Sequence, residues 1–318
     1  MGNSALRAFQ NVHVEGRKLL GIYSRLLEAR LGFRAAVPAR MPQSGWTLRP
    51  EDYMTNIATR VPVLMYHRVG TAKNTWEARY AISPDNFSAH MRALVNKGYQ
   101  AVSIEMLVDW LEGGPALPEG ACLITFDDGF RDVREHALPV LERLGWPFTV
   151  FLVSDLIGGR DEWTRSSNPA GVTYPLLDAD EIRDMQGRGA SFHSHSRSHA
   201  SLPGLDDAQL ADQLAGSRQA LAGLLGHEVH YLAYPFGNLD ERVEKAARQA
   251  GYRAAFSTQP GFNRTGVNRF RIRRMDVFGT DTPAMLLRKI HLGSNDGSLG
   301  HAVRYYLHRL KNHLTRTG

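Results

Sequence analysis

Strand-like and helix-like segments alternate along most of this 318-residue chain, and this alternation restricts the fold more than any other feature. Short apolar runs, such as residues 61–67 and 121–126, are followed by stretches of helical periodicity that end near a glycine. Such alternation predicts an α/β fold with parallel strands covered by helices. About seven or eight strands within some 230 residues favour a closed or nearly closed barrel over an open sheet.

The individual elements follow from apolar runs and from cap residues. Predicted strands cover residues 61–67, 99–103, 121–126, 148–153, 190–192, 229–234, 253–256 and 270–273. One predicted helix begins at Ser83-Pro84. Further helices are predicted over residues 104–112, 133–144, 178–186, 206–225 and 239–251. Residues 158–175 lack periodicity, so we expect a loop over one end of the barrel.

Positive charge is concentrated at the two ends of the chain. The net charge is +6, yet residues 1–40 carry +5 and residues 301–318 carry +4, which leaves −3 for the part between them. A mildly acidic body does not indicate a nucleic-acid-binding core. Apolar residues at helical spacing predict a helix in each end, which either packs on the domain or lies on an anionic membrane surface. We therefore expect a basic, partly helical extension over residues 1–58, a barrel domain over 59–285 and a basic helical tail over 286–318.

No segment of the chain has the length and apolarity of an export signal or a membrane span. The N-terminal apolar run covers five residues before Ser24 and Arg25, whereas a signal peptide needs about 7–15. Other runs stay far below the ~20 residues that cross a bilayer. These observations predict a cytoplasmic protein, with attachment to the membrane face through the basic termini as the alternative.

Two adjacent carboxylates, Asp127 and Asp128, follow the apolar run 121–126 and precede Gly129. Active sites of parallel barrels lie at the carboxyl ends of the strands, and a turn relaxed by Gly129 would let both carboxylates face one cleft. Two close carboxylates resist joint ionisation unless a cation lies between them. The alternative is that Asp128 only caps the helix that follows.

Three of the thirteen histidines, His193, His195 and His199, fall within seven residues. On a helical turn, the spacing of His195 and His199 would place both on one face, within reach of a single ion. On a strand, His193 and His195 would share a face instead. Two histidines and one aspartate make a three-ligand site with a position left for water, which is typical of a catalytic metal centre. The second aspartate can then act as the base for that water.

The single cysteine, Cys122, excludes an internal disulfide and a cysteine-rich zinc site.

Two further strand ends carry candidate groups. The sequence Tyr234-Pro-Phe236-Gly forces a sharp turn, and the backbone N–H of Phe236 could donate to a developing oxyanion, although such turns are common. His67, at the end of the first strand, can act as a general acid in the same cleft or serve as a hydrogen-bonded core residue.

Together and in this order, these motifs resemble those of the polysaccharide deacetylase family of metal-dependent carbohydrate esterases, the NodB-homology domain. The resemblance covers about residues 60–280. Residues 125–129 match the first motif of the family, residues 195–199 match the second, and residues 234–237 resemble the third. The resemblance implies a distorted (β/α)7 barrel that hydrolyses N-acetyl groups on amino sugars, with zinc as the usual metal.

Residue roles follow from the same motif matches. The resemblance implies that the metal ligands are Asp128, His195 and His199. Asp127 would be the base that deprotonates the metal-bound water, and the Phe236 N–H would stabilise the oxyanion. Tyr234 and Pro235 would lie in the substrate-binding site. A protonated histidine would then assist departure of the sugar amine as acetate is released.

Two features depart from the family pattern. The arginine that opens the third motif and orients the base is replaced by Ala233, and we prefer Arg274 over Arg273 as its substitute. The final Leu-His pair of the family is not evident, because His291 lies in a predicted helix. His67 is therefore our first choice for the general acid.

The sequence thus predicts a metal-dependent hydrolase that removes N-acetyl groups from the amino sugars of a polysaccharide or a lipid-linked glycan. The metal is most simply Zn²⁺, although a His-His-Asp set also accepts Co²⁺, Mn²⁺ or Ni²⁺. Two alternatives remain open. One is an O-acetyl esterase or non-sugar amidase with the same machinery. The other is a non-catalytic glycan-binding protein, which the missing arginine and final histidine favour but the retained ligands and base disfavour.

Overall fold

The computed structural model describes residues 58–316 and their side chains up to residue 308, so almost all of the predicted N-terminal extension lies outside the described residues. The strands of the described part are β1 (Val63–Tyr66), β2 (Arg68–Val69), β3 (Ala81–Ile82), β4 (Gln100–Ala101), β5 (Ala121–Phe126), β6 (Phe148–Leu152), β7 (Ala190–Ser194), β8 (Tyr231–Ala233), β9 (Ala254–Phe256) and β10 (Met275–Asp276). Its α-helices are α1 (Pro84–Asn96), α2 (Ile104–Leu111), α3 (Leu138–Leu144), α4 (Ala179–Gln186), α5 (Asp207–Ala211), α6 (Ser217–Leu225), α7 (Glu241–Gln249), α8 (Pro283–Leu292) and α9 (Leu299–Arg316).

The barrel is formed by one curved parallel sheet with the strand order β10-β1-β5-β6-β7-β8-β9. β4 pairs with the start of β5, where Gln100 lies opposite Ala121. Beyond β9, Phe256 bridges Ile272 in parallel, so the chain that leads into β10 runs beside the far edge of the sheet. The sheet therefore curls toward closure as a distorted (β/α)7 barrel, and the predicted fold class is confirmed.

The last predicted strand, residues 270–273, is wrong. Ile272 forms only an isolated bridge, and the paired strand is β10, which begins at Met275. The side chain of Asn263 explains the shift. Its nitrogen donates to the Arg273 carbonyl at 2.9 Å, and its oxygen accepts from the Arg273 N–H at 2.9 Å. Both backbone groups of Arg273 are thus bonded to a side chain instead of a neighbouring strand.

Alternate residues of the strands pack into two different cores, as the pleat of a strand requires. On β5, Ile124 and Phe126 join the core between the sheet and the helices. Leu123 joins a second core inside the barrel, together with Phe151 of β6 and Tyr231 of β8. Because the interior is filled by large side chains, the open cleft lies at the carboxyl ends of the strands.

Several helices begin and end at the cap residues predicted from the sequence. Ser83 Oγ accepts from the Asn86 N–H at the start of α1, and Pro84 is its first residue. Asp178 begins α4 through a capping box. Such caps stabilise a helix by about 1 kcal/mol each. Helix α3 ends at Gly145, whose φ of 64° is the left-handed conformation that favours glycine there.

Helix α8 crosses residue 285, the predicted boundary between barrel and tail. Its Leu286 and Ile290 pack into the core between the sheet and the helices, so α8 is structurally part of the barrel. His291 lies in this helix, as predicted. Within the range that the structure describes, no helix is both long enough and apolar enough to span a bilayer.

Candidate active site

The two adjacent carboxylates lie at the carboxyl end of β5. The Asp127 N–H donates to the Tyr66 carbonyl at 2.9 Å, which extends the ladder toward β1. Asp128 has a φ of 74°, uncommon for a residue with a Cβ, and Gly129 follows at 80°. A Cβ on Gly129 would lie 2.7 Å from Leu152 Cδ2. This tight turn places both carboxylates on the wall of one cleft, and it requires glycine at position 129.

Asp128 does not cap the next helical segment. That segment begins at Arg131, and Phe130 precedes it. The carboxylate of Asp128 instead lies against two histidine rings, which excludes the capping interpretation.

His195 and His199 follow β7 in a loop, so the helical turn considered for this pair does not form. Ser196 and His199 both have left-handed backbone, with φ of 66° and 61°, and the ring centroids of the two histidines come to 4.9 Å. Ser194 Oγ accepts from the Ser196 N–H, and Ser196 Oγ accepts from the His199 N–H, both at 3.2 Å. Serine side chains thus provide the local hydrogen bonds that a helix would have supplied through its backbone.

Asp128, His195 and His199 form a compact group of potential metal ligands, with one ligand atom of each within 4.8 Å of the others. Asp128 Oδ1 lies 3.4 Å from His195 Nε2 and 3.2 Å from His199 Nε2. This buried oxygen has no hydrogen-bond partner among the described residues. His195 Nδ1 donates to the Ala233 carbonyl at 2.8 Å, which leaves Nε2 available toward Asp128. An unpaired buried oxygen between two Nε2 atoms fits a divalent cation.

The group has an electrostatic bias toward cation binding. Burial raises the pKa of Asp128, but the two histidines outweigh burial and hold that pKa well below its usual range. Burial lowers the pKa of His199, and the neighbouring Asp128 does not reverse this. Burial also lowers the pKa of His195, but Asp127 and Asp128 raise it more. A bound cation would therefore take the place of the proton that the two aspartates favour on His195.

Asp127 is held by a buried arginine. Arg274 Nη1 and Nη2 donate to its two carboxylate oxygens at 2.6 and 2.8 Å, and Arg274 Nε donates to the Ser257 carbonyl at 3.0 Å. The neighbouring Arg273 is exposed and donates to the Pro260 carbonyl, so Arg274 is the one that contacts Asp127. Burial raises the pKa of Asp127, but the charge and hydrogen bonds of Arg274 lower it below its usual value. Asp127 is therefore ionised at neutral pH.

Known proteins resemble this chain in sequence and in fold. Residues 115–255 match the family model for polysaccharide deacetylase. This region belongs to the polysaccharide deacetylase family. YxkH of Bacillus subtilis, which carries the same family assignment, is 27% identical over 223 residues, or 70% of this chain and 73% of that protein. The poly-β-1,6-N-acetyl-D-glucosamine N-deacetylase of Staphylococcus epidermidis is 24% identical over 210 residues, or 62% and 68%. The structure of IcaB from Ammonifex degensii superposes with a TM-score of 0.62 at 26% identity, over 74% of this chain and 98% of IcaB.

In this polysaccharide deacetylase, His193 lies apart from the ligand group. Its ring packs edge-on against Tyr231 inside the barrel, with centroids 4.6 Å apart. Its Nε2 lies 3.7 Å from Glu105 Oε1. The alternative pairing of His193 with His195 on one strand face therefore does not form.

His67 and Phe236 line the cleft of the deacetylase together with both aspartates. The His67 ring packs edge-on against Tyr80 at 5.3 Å, and the Phe236 ring packs edge-on against His199 at 4.5 Å. Phe236 has a φ of 58° and is 56% exposed, so the turn presents it at the rim of the cleft.

Tyr234 and Pro235 stabilise that turn from below. Tyr234 borders the cleft but is fully buried, and its hydroxyl donates to the Phe270 carbonyl at 3.2 Å. Pro235 is also buried. A contribution of these two residues to substrate binding stays a prediction. Because both side chains are buried, they would contribute by fixing the shape of the turn.

Sequence reasoning missed several residues of the cleft, which encloses about 390 Å³, within the range of roughly 300–1,000 Å³ typical of small-molecule sites. Trp163 stacks on His199, with centroids 4.5 Å apart and 16° between the planes. Trp76 and Asp276 also line the cleft. Trp163 belongs to the unperiodic segment 158–175, so the expected position of that loop was the one available signal. Asp276 lies in β10, outside the predicted strand 270–273, so no sequence motif marks it.

The loop that carries Trp163 is fixed by Glu77. This buried carboxylate accepts from Asn168 Nδ2 at 2.9 Å, from the Tyr174 hydroxyl at 2.9 Å and from the Lys73 N–H at 2.7 Å. Burial raises the pKa of Glu77, but these hydrogen bonds outweigh burial and lower it. The ionised carboxylate thus ties the loop to the segment around residue 74, beside the cleft.

Proposed function

We propose that this polysaccharide deacetylase removes N-acetyl groups from the amino sugars of a glycan polymer with the help of a divalent metal ion. The observation that carries the proposal is the position of Asp127. Its ionised, arginine-held carboxylate shares one cleft with the three potential ligands, Asp128, His195 and His199. Metal-assisted hydrolysis requires a base that is separate from the metal ligands, and Asp127 meets this requirement.

The three ligands proposed for the metal leave room for water or substrate in the cleft. When bound, the ion would lower the pKa of a water molecule and polarise the acetamide carbonyl. Zn²⁺ is our first choice because histidine and carboxylate suit it, and Co²⁺, Mn²⁺ and Ni²⁺ share these preferences.

The proton transfers fall to residues of the chain itself. Asp127 accepts a proton from the attacking water, and Arg274 keeps its carboxylate oriented. The backbone N–H of Phe236 donates to the oxyanion that develops on the acetyl carbonyl. His67 donates a proton to the sugar nitrogen as its bond to the acetyl carbon breaks. The products are acetate and a free sugar amine.

The substrate class rests on the relatives and on the walls of the cleft. The relative from Staphylococcus epidermidis acts on poly-β-1,6-N-acetyl-D-glucosamine, so oligomers of that polymer are the first substrate to test. The cleft is lined by Trp76, Trp163 and Phe278, which offer broad apolar faces with room for a ring. A cytoplasmic location and the lack of a nucleic-acid partner stay predictions.

Removal of the metal should abolish the activity. Treatment with a strong chelator should stop acetate release from N-acetylglucosamine oligomers, and added Zn²⁺ should restore it. His195→Gln should lower acetate release by about 100-fold or more, because two ligands hold the ion poorly. His230→Gln, which changes an exposed histidine, is the matched control and should keep its activity and metal content. Acetate release that survives chelation would overturn the proposal, and release from O-acetylated glycans without release from N-acetylglucosamine oligomers would make the protein an esterase.

Replacement of His67 should slow only reactions with a poor leaving group. In His67→Asn, acetate release from the sugar amide should fall by about 100-fold or more, because the amine must be protonated to leave. Hydrolysis of 4-nitrophenyl acetate should change little, because its leaving group needs no proton. Metal content, measured by atomic emission, should stay the same. An equal loss on both substrates would contradict the role of His67 as general acid.

A further inference from the structure

Helix α9 carries an apolar face that the barrel does not cover. Leu299, Val303 and Leu307 recur every four residues and are 68%, 57% and 61% exposed. Tyr306 lies beside them, is 41% exposed, and has its hydroxyl 2.6 Å from His291 Nε2. At 3.6 residues per turn, these positions and the leucine positions 310 and 314 fall within an arc of about 100°. We call this set of positions the α9 stripe.

The α9 stripe differs from the other exposed apolar side chains of the described residues. Those on Val95, Met106 and Leu144 lie singly on three different helices, and Phe236 lies in the cleft. Scattered residues of this kind are normal on a protein surface, whereas a continuous apolar stripe indicates a surface that binds something.

The positions on either side of the α9 stripe are basic. From residue 299 to residue 318 the chain has four Lys or Arg residues and no Asp or Glu. By helical geometry, positions 304 and 311 flank the stripe on one side, and positions 309 and 316 flank it on the other. Arg304 is 72% exposed, and its one acidic neighbour, Asp296, lies 3.8 Å away in the loop before the helix.

We propose that α9 binds the surface of an anionic lipid bilayer, with its stripe at the level of the acyl chains and its basic residues at the headgroups. An apolar stripe with cations on both sides matches this interface, because each cation near an anionic surface adds to the attraction. A second copy of α9 is a poor partner by comparison. It would bring the same positive charge to the contact and no carboxylate from residues 299–318 to balance it.

Vesicle sedimentation tests the proposal on the full-length protein. Binding to vesicles of phosphatidylcholine with phosphatidylglycerol should be at least about tenfold stronger than to phosphatidylcholine alone, and it should weaken at high salt. The variant Leu299→Ser/Val303→Ser/Leu307→Ser should bind the anionic vesicles about tenfold more weakly or worse. The matched control is Val95→Ser/Leu144→Ser, which makes the same kind of change at exposed positions outside α9 and should bind like the wild type.

Thermal unfolding shows whether each variant is folded. If the triple serine variant does not fold, Arg309→Glu/Lys311→Glu leaves the stripe intact and should still lose the preference for anionic vesicles. Equal binding of the wild type and the α9 variants would assign membrane contact to another part of the chain and overturn the proposal. Failure to bind either vesicle, or a change from dimer to monomer in the triple variant without vesicle binding, would overturn it as well. Because vesicle binding needs no turnover, the result does not depend on the proposed function.

Discussion

Replacement of Asp127 with asparagine should reduce acetate release by about 1,000-fold while the protein keeps its metal. Asparagine has nearly the same shape but cannot accept a proton from water, and loss of a general base typically costs about 10²–10⁴ in rate. Metal content should stay near that of the wild type, because Asp128, His195 and His199 are untouched. The measurement is acetate release at saturating Zn²⁺, together with the metal content of the purified protein.

Asp132 provides the matched control for this experiment. Its carboxylate also accepts from an arginine, Arg68 Nε at 3.0 Å, and from the Val69 N–H at 3.1 Å. It is not among the described residues that line the cleft. Asp132→Asn should therefore cost stability without a comparable loss of turnover. If Asp127→Asn kept more than a tenth of the activity, or lost its metal, Asp127 would not be the base.

The strands with continuous apolar runs could be predicted well from the sequence. The run 121–126 coincides with β5, and the run 148–153 exceeds β6 by one residue. Strands buried on both faces by helices and by the barrel core need apolar residues at every position, and this leaves a clear pattern. β10 left no such pattern, because it has two residues and begins only after Arg273, whose backbone is hydrogen-bonded to the Asn263 side chain.

The sequence could predict which residues form the candidate metal site, but it could not predict their conformation. Positive φ angles occur at four residues of these motifs, Asp128, Ser196, His199 and Phe236. The residue types at these positions do not predict them. Such backbone strain persists because the surrounding structure fixes it, as the serine hydrogen bonds around His199 do. Residue types and short spacings therefore indicated which groups share the cleft, whereas the loop geometry depends on the folded barrel.

Removal of the Arg274 guanidinium should destabilise the barrel more than replacement of any other residue of the site by one of similar size. In Arg274→Gln, Asp127 would stay buried without its counter-ion, and breaking a buried pair in this way costs about 3–5 kcal/mol of the free energy of unfolding. Acetate release should fall too, because burial would then raise the pKa of Asp127. Arg273→Gln is the matched control, and as a change at an exposed neighbour it should shift stability by no more than about 0.5 kcal/mol. Denaturant unfolding at pH 7 measures both.

The pH dependence of stability separates loss of this ion pair from loss of packing. In the wild type the folded pKa of Asp127 is lowered, so the pair stabilises the fold above the unfolded value of about 3.9, and the contribution is lost as pH falls through the lower folded value. In Arg274→Gln the folded pKa should be raised, so that variant should lose stability as pH rises from about 4 toward 7. Adding Asp127→Asn to Arg274→Gln removes the unpaired charge and should recover stability at pH 7. If the double variant were no more stable than Arg274→Gln, or if the wild type and Arg274→Gln had parallel pH profiles, Arg274 would be acting through packing alone, and its role in keeping Asp127 ionised would be wrong.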